Sequence, residues 1–196
     1  MGRIDLLNGL LAGGYRFAEV AIHQSMKPEC VLPKALERHL GEFSLHVANG
    51  TELKQIFDAI DGGMIFRTDK ISLNPRFGPM VAARRYGNWM RDEIAREDTY
   101  PYIISRGCKA IGFSVLKYSN NDSVIGLLSG LMDASRFAGL GIYLGYYTVE
   151  AARKMGAKRV KAHISSNNPS VMKVNQMLGY QIESMHYVST RLVELS

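Results

Sequence analysis

The stretch SRFAGLGIYLGYYTVEAARKMG, residues 135–156, decides the fold. An apolar run, SVIGLLSGLMD (123–133), precedes it, and the strand-like KRVKAHIS (158–165) follows it. Gly139 and Gly141 thus stand where a strand passes into a helix. The first N–H groups of a helix lack main-chain partners and attract anions, and glycine lets a phosphate approach them closely. The turn is predicted to bind a pyrophosphate, with a tight turn that binds nothing as the alternative.

Two other phosphate-binding motifs do not fit this turn. A dinucleotide fingerprint belongs in the first βαβ unit and needs an acidic residue about 20 residues further on. Here the turn comes late in the chain, and the following strand ends in ISSNN (164–168) without an acid. A Walker A loop needs Gly-Lys-Ser/Thr, which this turn lacks.

Composition limits the kind of protein and the partners that can be expected. The chain has 196 residues, a net charge of +6 and a 46% apolar fraction, which indicates one ordinary globular domain. The basic residues are scattered, so no nucleic-acid partner is expected, although the charge suits an anionic small molecule. No run approaches the roughly 20 apolar residues of a membrane span, so no membrane partner is expected. Two cysteines without metal-ligand spacing predict a reduced, cytoplasmic protein without a metal site.

Hydrophobic periodicity predicts an α/β fold with a mixed, mostly antiparallel sheet and flanking helices. Asn168 is predicted to cap a helix that Pro169 opens and Gly179 ends. The predicted strands cover 42–49, 100–106, 109–119, 123–133 and 156–165, with one or two more in 180–195. The predicted helices cover 51–60, 80–97, about 139–155, and 168–178.

Two motifs in this order carry a family resemblance. Arg136, Gly139 and Gly141 match the pattern Arg/Gln-x-x-Gly-x-Gly/Ala, and NPSVMKVNQMLGY (168–180) matches a second pattern from Asn to Leu-Gly-Phe/Tyr. With the element order from about residue 42 onward, they resemble the GNAT superfamily of acyl-CoA N-acyltransferases.

This resemblance implies the GNAT fold and acetyl-CoA as cosubstrate. The strand ending at 131–133 would pair its backbone with the pantetheine arm, splayed from the strand at 159–165, with the thioester in the gap. The turn would hold the pyrophosphate. The implied coenzyme-binding residues are Leu131, Met132, Arg136, Phe137, Ala138, Gly139, Leu140, Gly141, Asn168 and Asn175.

The resemblance also raises a question about the general acid. Many family members have a tyrosine where this chain has Asn175, and an amide cannot donate a proton at neutral pH, although it can hydrogen-bond the sulfur. Water, Tyr180, Tyr146 or Tyr147 would then replace the tyrosine. A solvated helix residue is the other interpretation of Asn175.

The predicted general base is His163, on the strand beside the gap. Glu93, Glu97, Asp98 and a chain of water molecules are the alternatives.

The segment at 66–94 indicates the acceptor. Phe66, Thr68, Pro75, Tyr86 and Trp89 resemble a pattern in acetyltransferases of nucleotide-linked amino sugars, those of TDP-fucosamine type, while Asp69, Lys70 and Asn74 depart from it. Helix packing is the alternative role for Tyr86 and Trp89. A carrier diphosphate would meet cations from the set Arg67, Lys70, Arg76, Arg84 and Arg85.

Residues 42–196 are predicted to form the GNAT domain and 1–41 an N-terminal extension. Two segments have a similar pattern, in which the end of a helix is followed by Gly-Tyr and then by a strand. They are GLLAGGYRFAEVAIHQS (9–25) and NQMLGYQIESMHYVS (175–189). The extension is either a remnant of a second half-domain or a chance likeness.

The sequence leaves three functions open. The first is acetyl transfer from acetyl-CoA to a nucleotide-carried amino sugar, for cell-surface polysaccharide. The second is transfer to another amine, such as a protein N-terminus, a polyamine or an antibiotic. The third is a module that binds acyl-CoA without turnover. The oligomeric state is open, with a homodimer among the expectations.

Overall fold

The computed structural model describes residues 4–63, 65–120, 122–133 and 136–191. The strands are β1 (Arg16–Met26), β2 (Phe43–Val47), β3 (Thr99–Arg106), β4 (Lys109–Asn120), β5 (Ser123–Leu131), β6 (Arg159–Ser165) and β7 (Gln181–Thr190). The helices are α1 (Ile4–Ala12), α2 (Lys34–Glu37), α3 (Gly50–Asp61), α4 (Gly78–Ile94), α5 (Gly141–Lys154) and α6 (Pro169–Leu178). Within these ranges, no helix has both the length and the apolar character needed to cross a membrane.

All seven described strands form one sheet in the order β2-β3-β4-β5-β6-β1-β7. Every neighbouring pair is antiparallel except β5 and β6, which are parallel. The predicted fold class, a mixed and mostly antiparallel sheet with flanking helices, is confirmed. Helices α3 and α4 pack on one face through Ile56, Ile60 and Met90, and α5 packs on the other through Val149 and Ala152.

Local signals set the ends of α6 as predicted. The Asn168 side chain accepts a hydrogen bond from the Val171 N–H at 3.2 Å, and Pro169 occupies the first turn. Gly179 ends the helix with φ at +96°, a left-handed conformation that side chains with a Cβ rarely adopt. The cap at Asn168 and the left-handed Gly179 thus set the two ends of α6, and the chain passes from Gly179 into β7.

Strand β1 lies inside the sheet. It pairs with β6 from Ala21 to Met26, and with β7 along most of its length. The described part of residues 1–41 thus supplies the strand that joins β7 to the rest of the sheet. The division into an extension and a domain stays a prediction.

The two echoing segments have matching structures. Helix α1 leads through Gly14, at φ +82°, into β1, as α6 leads through Gly179 into β7. Strands β1 and β7 are also antiparallel neighbours in the sheet. The origin of the first unit in a second half-domain stays a prediction.

Gly145, the third glycine of GLGIYLG, has a packing role. A Cβ built at this position would lie 2.7 Å from Leu178 Cδ1 and 3.0 Å from Val174 Cγ1. Both contacts belong to α6, so the missing side chain lets α5 and α6 approach each other closely.

We expect Gly145→Val to lower the free energy of unfolding by about 1–3 kcal/mol through overpacking. Gly9→Val is the matched control, because Gly9 is also helical and has no atom within 4 Å of its built Cβ. The control should change stability by about 0.5 kcal/mol or less. Urea denaturation of both variants measures the difference, and equal losses would contradict this packing role.

Candidate functional site

Strands β5 and β6 separate part-way along their length. They pair only from Ser123–Gly126 to Arg159–Ala162. Beyond this point β6 stays paired with β1, while β5 stays paired with β4 as far as Leu131. One edge of β5 therefore has no partner strand in the described part of the chain.

The backbone of β5 offers hydrogen-bonding groups to this gap. The Met132 N–H donates to the Ile111 carbonyl on β4 at 2.9 Å. Because consecutive strand residues direct their N–H and C=O groups to opposite edges, those of Leu131 point toward the gap. An extended, amide-containing ligand can pair with such an edge as an added strand does. The structure thus contains the splayed pair that the resemblance implies.

The glycine turn lies at the open end of the gap. Asp133 shapes its start, accepting from the Arg136 N–H at Oδ1 (3.0 Å) and from the Phe137 N–H at its carbonyl oxygen (2.9 Å). Gly139 has φ at +82°, and no atom lies within 4 Å of a Cβ built there. Glycine is needed at 139 for its backbone conformation, and the space around it is open to a ligand.

Helix α5 begins with unsatisfied donors. No side chain caps it, and in the described residues no main-chain acceptor meets the N–H groups of Gly141 or Ile142. Together with the helix dipole, these N–H groups form an anion-binding end. The first turn therefore fits the pyrophosphate predicted from sequence.

Three cations border a cleft of about 270 Å³ beside this turn. Lys109 Nζ lies 5.4 Å from the centre of the Phe137 ring, and Arg136 Cζ lies 6.0 Å from it. Arg106 also pairs with Glu42 at 2.6 Å, whereas no described carboxylate lies within 4 Å of Lys109 or Arg136. The predicted residues Arg136, Phe137, Ala138 and Leu140 all line this cleft. Its charge suits a phosphorylated ligand.

Asn175 points into the protein interior. Its side chain is 7% exposed, and Nδ2 donates to Oε1 of Gln24, itself buried on β1, at 2.9 Å. The interpretation of Asn175 as a solvated helix residue is wrong. Its roles in catalysis and coenzyme binding stay predictions, as does a coenzyme contact for Asn168, which caps α6.

The three tyrosines considered as general acids are partly or fully buried. The Tyr147 hydroxyl donates to the Leu40 carbonyl at 2.8 Å, near the β2 edge of the sheet. Burial raises the pKa of Tyr146, of Tyr147 and, most strongly, of Tyr180, which belongs to the core. These hydroxyl groups keep their protons at neutral pH, but Tyr147 is bonded away from the gap.

His163 heads a row of three histidines across β6, β1 and β7. Its ring stacks on His23 with centroids 3.9 Å apart, and His186 lies 4.6 Å beyond His23. Burial, followed by the charges of His23 and Lys161, lowers the pKa of His163 below its ordinary value. The imidazole of His163 is therefore neutral at pH 7 and able to accept a proton.

The described residues contain no group of three or more His, Cys, Asp or Glu arranged to hold a metal ion.

A buried carboxylate lies near this row. Glu19 is 4% exposed, and it accepts hydrogen bonds from Ser165 Oγ at 2.6 Å and from Lys70 Nζ at 2.9 Å. Ser165 is two residues from His163 on β6, so their side chains share a face of the sheet. Sequence reasoning missed Glu19, although a lone acid inside a strand-like stretch is a signal of a buried ion pair.

Two of the acidic alternatives to His163, Glu93 and Asp98, lie elsewhere. Glu93 pairs with Lys117 at 2.7 Å, and Asp98 lies 3.9 Å from the same ammonium. Lys117 is aligned with Ile125, at the end of β5 that is still paired with β6. These acids are not at the open end of the gap.

Comparison with solved structures identifies the fold. No protein-family model matches the chain, and neither does any curated protein. A functionally unknown conserved protein from Staphylococcus epidermidis matches with a TM-score of 0.64 at 12% identity, over 95% of this chain and 66% of its own. A GCN5-related glucosamine N-acetyltransferase region of a fungal multi-domain GH3 β-N-acetylglucosaminidase matches with 0.66 at 10%, over 96% and 23%. A GCN5-related N-acetyltransferase from Kribbella flavida matches with 0.58 at 15%, over 93% and 62%.

The chain thus has the fold of GCN5-related N-acetyltransferases. It spans less than two thirds of the length of each of these three proteins.

We expect Gly139→Ala to weaken binding of CoA about tenfold or more, because the added methyl group would stand between the turn and a bound phosphate. Gly156→Ala is the matched control, since Gly156 also has a left-handed φ (+81°) and open surroundings but follows the end of α5. Both variants carry a similar backbone strain of about 1 kcal/mol. Calorimetric titration with CoA separates them, and equal affinities would refute the phosphate-binding turn.

We expect Asn175→Leu and Gln24→Leu each to cost about 1–3 kcal/mol of unfolding free energy, because each leaves a buried amide unpaired. The double variant should cost less than the sum of the two. Asn88→Leu, at an exposed position on α4, should be additive with Asn175→Leu. Denaturation of the parent protein, the three single variants and the two double variants measures the coupling, and its absence would show that the Asn175–Gln24 bond adds no stability.

Proposed function

We propose that the protein transfers an acetyl group from acetyl-CoA to a primary amine. The single observation that carries this proposal is the separation of β5 from β6 beside an uncapped, glycine-opened helix. This arrangement offers an unpaired strand edge to the amide-bearing arm of the coenzyme and N–H donors to its pyrophosphate.

The residues present fit the coenzyme. Leu131 would supply main-chain groups to the pantetheine arm, and Gly139 and Gly141 would leave room for the pyrophosphate. Lys109 and Arg136, two cations without carboxylate partners in the described residues, would face its phosphates. When bound, acetyl-CoA supplies an acetyl group activated as a thioester.

In this proposal His163 accepts the proton of the attacking amine. Its position on β6 beside the gap and its lowered pKa suit a base at neutral pH. Asn175 cannot donate a proton to the leaving thiolate, so we assign that proton to water. Because an unperturbed thiol has a pKa of about 8.5, the thiolate can leave first and take its proton from water afterwards at neutral pH.

For the acceptor we propose an amino sugar on a nucleotide carrier, used in cell-surface polysaccharide synthesis. The fungal neighbour's glucosamine N-acetyltransferase region supports an amino sugar, at the level of fold only. Phe66, Tyr86 and Trp89, which carry the sequence resemblance, form one aromatic cluster with centroid distances of 4.4 and 6.2 Å. Burial, with a smaller effect of nearby Asp69, raises the pKa of Tyr86 to about 12, so its hydroxyl remains a neutral donor.

Release of free thiol from acetyl-CoA, measured with a panel of TDP- and UDP-linked amino sugars, tests this function. Polyamines, a peptide with a free N-terminus and an aminoglycoside form the second half of the panel. Release with the sugars alone supports the proposal, and release with another amine alone replaces the acceptor. CoA binding without release on any amine favours the non-catalytic module, and absent CoA binding overturns the whole proposal.

We expect kcat/KM to rise with pH and to level off through a pKa below about 6.5, because only the neutral imidazole of His163 accepts a proton. The amine's own ionisation adds a second rise in every profile, so the variants must be compared on the same acceptor. His163→Gln should remove the first rise and lower kcat by about 10²-fold or more. His46→Gln is the control, because His46 is exposed on β2 beside Glu52. A His163→Gln profile that matches the parent profile would exclude the base role.

A further inference from the structure

The segment before α4, residues 65–77, contacts β5 at the edge of the gap. A Cβ built at Gly130 would lie 2.8 Å from Ile65 Cγ2, so the missing side chain lets Ile65 pack on the backbone of the strand. Gly130 precedes Leu131, and both lie beyond the last pairing of β5 with β6, at Gly126. One end of the segment is therefore held at the part of β5 that borders the gap.

A buried ion pair joins the same segment to the other side of the gap. Lys70 Nζ donates to Oε1 of Glu19 on β1 at 2.9 Å, while Ser165 Oγ on β6 donates to Oε2 at 2.6 Å. The Glu19 side chain is almost fully buried, and a buried carboxylate is costly unless it is paired and hydrogen-bonded. Between Ile65 and Lys70 the segment thus crosses from the β5 side of the gap to the β6 side.

This crossing lies on the face of the sheet that carries the proposed base. Val160 belongs to the apolar cluster under α5, so His163 and Ser165 alternate onto the opposite face, which α3 and α4 cover. Glu19 meets Ser165 on that face, and Ile65 packs in the apolar cluster there. The segment and His163 therefore border the same opening of the gap.

The segment also has hydrogen bonds of its own. Asp69 accepts from the Ile71 N–H at 2.7 Å and from Ser72 Oγ at 2.6 Å. The Leu73 N–H donates to the Asp69 carbonyl at 3.0 Å, and the Asn74 N–H donates to the Ile71 carbonyl at 3.1 Å. Because these bonds lie within the segment, they fix its shape and not its position over the gap.

We propose that Glu19 is a positioning residue, which through Lys70 holds segment 65–77 across the gap, so that the segment orients the amine toward His163 and keeps bulk water from the thioester. This inference rests on the proposed acetyl transfer and adds to it a residue of β1. Orientation of a bound substrate accelerates transfer, and exclusion of water prevents hydrolysis of a reactive ester. Glu19 itself contacts neither substrate in this arrangement.

Four variants test the ion pair. Glu19→Gln keeps the shape of the side chain, but it removes the charge that holds the ammonium and replaces one accepting oxygen by a donor. Lys70→Met removes the ammonium, and Lys70→Arg is the conservative variant that keeps the charge. Asp61→Asn is the matched control, because it makes the same carboxylate-to-amide change in the exposed Asp61–Arg91 ion pair between α3 and α4.

We expect Glu19→Gln and Lys70→Met to speed amide hydrogen exchange within 65–77 about tenfold, the effect of losing one charge-assisted hydrogen bond. Lys70→Arg should keep most of the protection, and Asp61→Asn should exchange as the parent protein does. Hydrolysis of acetyl-CoA without any amine should rise about threefold or more in the first two variants, because water then reaches the thioester. With the amine that the panel identifies, these variants should form less amide per thiol released, while the Kd for CoA stays unchanged.

The outcomes separate this inference from the function it rests on. Exchange in Glu19→Gln that matches Asp61→Asn overturns the proposal, while CoA binding still supports acetyl transfer. Faster exchange with unchanged hydrolysis shows a purely structural ion pair and overturns the positioning role. Absent CoA binding in the parent protein overturns the acetyl transfer together with this role. If thermal denaturation shows that Glu19→Gln is unfolded, the comparison of Lys70→Met with Lys70→Arg decides in its place.

Discussion

The parallel pairing of β5 and β6 is the contact on which the rest of the site depends. It lasts for only four residues in each strand, and then the two strands follow different partners. Strand β6 is held by β1 from Val160 to Ser165, while β5 is held by β4 up to Leu131. A gap opens in the middle of the sheet, yet each strand keeps one fully paired edge. The unsatisfied groups are confined to the sides where a ligand can reach them.

Besides pairing with β6, strand β1 hydrogen-bonds to elements on both faces of the sheet. Its buried Gln24 accepts the Asn175 hydrogen bond, and its Glu19 accepts from Ser165 and Lys70. One strand thus fixes α6 on one face of the sheet and the loop before α4 on the other. The described N-terminal segment is in this way part of the site's framework.

The sequence predicted the parts of the fold that depend on neighbouring residues. The α6 cap at Asn168 and its end at Gly179 follow from local backbone requirements, so they are confirmed. The glycine turn was recognisable because a positive φ and an uncapped helix start both leave a sequence signature. What the sequence did not reveal depends on contacts between distant residues. The burial of Asn175 could not be predicted, because its hydrogen-bond partner, Gln24, lies 151 positions away.

The sequence also did not show which charged residues lie together in the fold. The basic residues of the acceptor segment all appeared equivalent in sequence, but Lys70 and Arg76 line one cavity together with Arg16, which is more than 50 positions away. Glu19 was missed because a strand pattern shows which residues are buried but not what they pair with. A buried carboxylate is tolerated when it is paired and hydrogen-bonded, and pairing across distant elements is set by topology.

The arrangement of titratable groups bears on how the proposed chemistry divides between base and acid. The neutral forms of His23 and His163 are favoured, because burial and the charges of neighbouring histidines lower the pKa of each ring. Asn175 faces inward, and Tyr147 is bonded to a carbonyl near the opposite edge of the sheet. The described residues thus provide a candidate proton acceptor beside the gap, His163, whereas the Asn175 amide and the Tyr147 hydroxyl are engaged elsewhere. Catalysis on this framework would depend on orienting the amine and removing its proton more than on protonating the leaving thiolate. A thiolate is a stable enough leaving group for that division to suffice, since an unperturbed thiol loses its proton with a pKa of about 8.5.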